Sequence, residues 1–175
     1  MRPFNYETFS NYVAYLTDNE YGMETMDKFY FTNLCNEFLP HPGKKNETVL
    51  IPDDRADHGI SEIEKTVKVG SFRLILPMSL QVFYHLVRRR FVPNESDDMK
   101  EFLRKAQPDE SYALQGAYRP IKQRAFVEVC GGRYLHQKLP VIPILHVKNW
   151  QKMVRNEPYR SRMGTAVNNI WTIWS

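Results

Sequence analysis

Apolar residues first recur at helical spacing from Phe9. Phe9, Tyr12, Val13 and Leu16 stand at i, i+3, i+4 and i+7, one face of a helix opening at Asn5 or Tyr6. After the turn-like TDNEYG, Met26, Phe29, Tyr30, Leu34, Cys35 and Phe38 form a second stripe, which ends at Pro40, Pro42 and Gly43. Residues 1–42 are therefore expected to form a helical hairpin, a candidate subdomain.

The pattern then changes. TVLIP, from Thr48 to Pro52, reads as a short strand, and PDDRADHG reads as a turn in which Asp side chains bond their own backbone. KTVKVGSFRLIL alternates apolar and polar positions on both sides of Gly70 and predicts a hairpin. Ser79 is placed to cap a helix carrying Leu80, Phe83, Leu86, Val87 and Phe91, closed by Pro93. Ser96 is placed to cap another, with Asp97 and Asp98 in the first turn and Met99, Phe102 and Leu103 on the apolar side.

RAFVEVCGGRYLHQKLPVIPILHV predicts two strands around Gly131-Gly132 and a third, bulged or edge run containing Pro143. Residues 148–155 suit a short helix with Trp150 and Met153 inward. Helices, strands, helices and strands in that order predict a single α+β domain over residues 1–175: an N-terminal helical hairpin, then antiparallel β-hairpins with intervening helices.

Composition changes this picture little. The chain has 175 residues, 42% hydrophobic and 13% aromatic, an ordinary globular balance with large rings for a core or an interface. MRPFNYETFSNY lacks the apolar run of a signal peptide, and no segment approaches the ~18 apolar residues of a membrane span. The expected location is intracellular, cytoplasmic or nuclear. Two cysteines, Cys35 and Cys130, are too few for a disulfide scaffold or a C-x-x-C metal knuckle.

The net charge of +4 is unevenly divided. Residues 1–100 carry 12 Lys+Arg against 15 Asp+Glu, and residues 101–175 carry 12 against 5. A basic C-terminal part attracts a polyanion or an acidic protein partner. Aromatic residues interleave with its cations in Tyr118-Arg119, Arg124-Phe126, Arg133-Tyr134 and Tyr159-Arg160, a mixture that stacks bases and holds phosphates.

The candidate nucleic-acid or acidic-partner residues are Arg88, Arg89, Arg90, Arg119, Lys122, Arg124, Arg160 and Arg162. Successive helical residues step by about 100°, so Arg88 to Arg90 cannot share one face, and their place in a last turn suits helix termination as well. Trp171 and Trp174, in the ending NNIWTIWS, are costly to expose and are candidates for a protein interface.

The segment from Asp53 to Lys65 clusters acids beside a lysine, the composition of a metal-dependent nuclease, with Asp53, Asp54, His58 and Glu62 as candidate ligands. Cys130 with His136 or His146 is a further candidate pair, of thiol and base. Phosphate-loop, dinucleotide and serine-hydrolase motifs are absent, and no cofactor is expected. The leading expectation is a non-enzymatic assembly subunit of an intracellular complex that holds a protein partner, with RNA or DNA as further candidates. The alternatives are the metal-dependent nuclease and a self-associating structural or matrix-like protein.

Overall fold

The computed structural model describes residues 6–17, 29–35, 50–107, 120–147 and 150–174. Helix α1, Tyr6–Leu16, buries the predicted stripe of Phe9, Tyr12, Val13 and Leu16. The Tyr12 hydroxyl donates to the Leu145 carbonyl at 2.5 Å, and its ring stacks on Trp150 at 5.1 Å, so this polar tip is satisfied inside the core.

Helix α2, Asp53–Val69, has Asp53 and Asp54 in its first turn, where negative charge complements the helix dipole. It buries Ala56 and Ile60 and half-buries Ile63, a narrow stripe at i, i+4 and i+7. Gly59 lies where a side chain would overlap the Leu34 carbonyl, so its missing Cβ allows the chain around Leu34 to lie directly on α2.

Helix α3, Leu80–Arg88, starts at Ser79, whose hydroxyl accepts from the Val82 amide, and buries Leu80, Phe83, Tyr84, Leu86 and Val87. Helix α4, Asp97–Ala106, starts at Ser96, whose hydroxyl accepts from the Met99 amide, and buries Met99, Phe102 and Ala106. Helix α5, Pro120–Val129, packs on α4, and Lys105 reaches across to Glu128 at 2.9 Å.

Strands β1, Tyr134–His136, and β2, Leu139–Val141, form an antiparallel hairpin in which Tyr134 pairs with Val141 and His136 with Leu139. Residues 75–78 run parallel to the chain from β2 onward, through bridges of Ile75 with Val141 and Met78 with Ile144. Helix α6, Trp150–Met153, turns Trp150 into the core as expected.

Helix α7, Tyr159–Trp174, buries Met163, Ala166 and Ile170. Gly131, left-handed at φ 76, lets the loop after α5 touch the α7 backbone at Arg162, and Asn169 of α7 donates to the Gly131 carbonyl at 2.9 Å.

The mixed helix-and-strand class stands, but several predicted elements do not. Residues 29–35 lie outside any helix, so the second half of the N-terminal hairpin is not helical there; residues 18–28 and 36–49 fall outside the described residues. The rings of Phe29 and Phe31 stack on each other at 5.9 Å, an i, i+2 contact that a helix cannot make.

The described part of the TVLIP run, residues 50–52, is not a strand, and PDDRADHG is the opening of α2 rather than a turn. The KTVKVGSFRLIL hairpin is absent: its first half is the end of α2, where Val69 is 88% exposed and no buried strand face exists. RAFVEVC is helical, because Ala125, Phe126, Val129 and Cys130 are the buried positions, a helical spacing. The strand pairing falls instead between residues 134–136 and 139–141, with Pro140 within the pair.

Candidate functional site

The three arginines end α3. The Phe91 amide donates to the Leu86 carbonyl at 2.9 Å and the Arg90 amide to Val87 at 3.0 Å, with Arg90 left-handed at φ 57. Leu86 and Phe91 are both buried, which completes a Schellman terminus with arginine where glycine is usual.

Arg88 reaches back to α2, where its guanidinium bonds to the Asp57 carboxylate and, at 3.3 Å, to the Asp53 carbonyl. Its Nε lies 3.5 Å from Asp53 Oδ1, and Arg89 Nε lies 3.5 Å from Asp57 Oδ1. Two of the three positive charges are thus matched by α2 carboxylates, and Arg90 stands exposed.

His85 lies beneath this cluster, 1% exposed, with Nδ1 3.7 Å from Asp53 Oδ1; that nitrogen has no hydrogen-bond partner among the described residues. Burial, and then the nearby Arg88 cation, push its pKa down to about 4 against the weaker opposing pull of Asp53, Asp57 and a backbone bond to Ile51. The imidazole is neutral at pH 7.

The other basic candidates are spread over different elements. Arg124 is exposed on α5; Arg160 is exposed on α7 and donates to the Arg155 carbonyl at 2.6 Å. Arg162 is half-buried on α7, where its charge bears on Cys130 and Tyr134. Arg119 lies outside the described residues, and Lys122 belongs to α5 with its side chain outside them.

The candidate metal ligands Asp53, Asp54, His58 and Glu62 all sit on α2. Asp53 faces Arg88, and Glu62 is bonded by Lys65 at 2.6 Å, which lowers its pKa. Among the described residues no group of three His, Cys, Asp or Glu is arranged to hold a metal ion. Burial pushes the Cys130 thiol up to about 12, and its sulfur lies 3.8 Å from that of Met163, the setting of an inert core thiol. His136 turns away from it, its Nδ1 bonded to the Phe91 carbonyl at 2.8 Å.

An apolar groove of about 1280 Å³ is bounded mainly by α1, residues 29–35, the later part of α2, residues 71–82, residues 144–147 and the end of α7. Aromatic rings line it in two groups: Phe9 meets Phe31 at 4.5 Å, and Phe29 stacks on Phe31 and, at 5.5 Å, on Trp174, while Tyr30 meets Phe72 at 6.0 Å. Tyr30 is 63% and Phe31 40% exposed, so the wall opens to solvent.

Arg73 donates to the carbonyls of Ile173 at 2.7 Å and Trp174 at 3.3 Å, closing the α7 terminus and holding Trp174 at the groove's end. Trp174 is half-buried there, whereas Trp171 is exposed on another part of α7. Sequence periodicity could not find this groove, since its wall comes from many separate segments. The only signal was the surplus of aromatics.

A smaller pocket, about 590 Å³, lies between α4, α5 and β1. Two of its three carboxylates are engaged: Glu101 by Arg104, which lowers its pKa to about 2, and Glu128 by Lys105; the third is Asp98.

No helix among the described residues is long and apolar enough to cross a membrane. No family model, curated protein or solved structure is significantly similar to this chain.

Proposed function

We propose that this chain is a non-enzymatic assembly subunit that holds a protein partner in the aromatic groove. The observation that carries this reading is the exposure of Tyr30 and Phe31 on a concave apolar wall ending at Trp174. Contiguous exposed rings of this kind favour association, because each aromatic side chain removed from water contributes about 1.5–3 kcal/mol. Several of the groups that would perform chemistry are engaged elsewhere: Asp53 and Asp57 with Arg88, Glu62 with Lys65, and Cys130 inside the core. A nucleic-acid role has less support, since Arg88 and Arg89 face carboxylates and Arg90, Arg124 and Arg160 lie on separate elements.

The test is the mass of the tagged chain in extracts of its native cells, compared with a Tyr30→Asp/Phe31→Asp variant. The wild type is expected in an assembly well above 20.7 kDa, and the variant at monomer mass with an unchanged melting profile. Identical masses for the two proteins would contradict the reading. A purified wild type that is already larger than a monomer makes the partner a second copy.

A further inference from the structure

We infer that the groove's occupant is an extended strand of a partner protein, added to the free edge of residues 74–78; this rests on the groove being the interaction site. Ile75 donates to Pro140 and accepts from Ile142, and Pro77 accepts from Ile144, all at 2.9 Å, so the odd-numbered backbone groups face the chain that follows β1. Backbone groups alternate direction along an extended segment, which places the N–H and C=O of Leu74 and Leu76 on the opposite edge. Among the described residues neither makes a backbone hydrogen bond. Both are half-buried and line the groove.

This edge discriminates between occupants. An occupant that covers this edge displaces its water, and each peptide group then left without a partner would cost about 1–3 kcal/mol, so a fitting occupant offers matching donors and acceptors. A helix has already used its own backbone groups internally, so it could fill the apolar walls but not satisfy the edge. An extended chain does both: its backbone pairs with Leu74 and Leu76, and every second side chain meets the aromatic wall around Tyr30 and Phe72. The partner segment is therefore a strand with apolar residues at alternate positions.

The test is amide hydrogen exchange by NMR on the full chain, with a capped peptide of alternating valine and threonine as the probe. In the free protein the Leu74 and Leu76 amides are expected to exchange at least roughly tenfold faster than those of Ile75, Ile142 and Ile144. Saturating peptide slows both, and N-methylation of alternate peptide residues, which removes the pairing donors, abolishes that protection. Leu74 and Leu76 already as protected as Ile75 in the free chain would overturn the inference, because the edge would then be occupied. Absence of protection with peptide, or protection indifferent to N-methylation, would overturn it too. The groove reading is separately decided by the assembly mass of the Tyr30/Phe31 variant.

Discussion

Replacing His85 with glutamine separates the protonation of one buried ring from everything else that acid does to this fold. In the folded chain the imidazole is 1% exposed and its pKa is pushed down to about 4, first by burial and then by Arg88. In the unfolded chain it returns to about 6.5. Because the folded value lies below the unfolded one, the unfolded state takes up the proton first as pH falls. Stability from this group is whole above pH ~6.5, declines through the window down to about pH 4, and is constant below that. At 1.36 kcal/mol per pH unit the full window is worth about 3 kcal/mol, a large share of the 5–15 kcal/mol typical of a folded domain.

The assay is urea denaturation of both proteins at several pH values between 7 and 4. Glutamine lacks a titrating group, so the variant starts less stable at pH 7 but loses about 2–3 kcal/mol less on acidification. Carboxylates such as Glu101, held low by Arg104, also release stability as pH falls through their own lower range, but they do so in both proteins and cancel in the difference. Parallel stability curves for the two proteins would refute the assignment of the neutral, desolvated imidazole.

Other substitutions test the packing. Gly59→Ala should destabilise by about 1–3 kcal/mol despite alanine's higher helix propensity, because the added methyl meets the Leu34 carbonyl, whereas Gly164→Ala, with open space at its position on α7, should stabilise by about 0.5–1 kcal/mol. Arg90→Gly removes a side chain from a left-handed position and should raise stability by about 0.5–1 kcal/mol in the same denaturation assay. Arg88→Met should cost about 1–2 kcal/mol at pH 7 by leaving the Asp57 carboxylate without its guanidinium. It should also shrink the acid-dependent loss, since the cation that lowers the His85 pKa is gone.

The sequence was legible where local rules and packing agree. The stripe of α1 and the serine caps of α3 and α4 fell where periodicity and capping chemistry placed them, as did the inward Trp150. It misled where a helix is held by few contacts. Helix α2 buries only Ala56 and Ile60 fully, contains Gly59 and ends in β-branched residues, so composition pointed to a turn and a hairpin. Gly59 punctuates nothing; it admits the Leu34 carbonyl.

Helix α5 shows the opposite effect, as packing against α4 overrides the β-rich composition of RAFVEVC. Of the candidate sites, the helix-end role of Arg88 to Arg90 was readable from their position, and the docking of Trp174 onto the body of the chain from its cost of exposure. Neither the match of Arg88 with Asp57 nor the aromatic groove could be read, since both depend on which segments meet in three dimensions.

The central claim is that the face around Tyr30 is where a protein partner sits. A photoactivatable benzoyl-phenylalanine placed at Tyr30, and for comparison at the exposed Lys100 on α4, tests it directly in the cells that make the protein. A discrete adduct from the Tyr30 position and none from Lys100 is the predicted result. Equal labelling from both positions, or none from Tyr30, would contradict it.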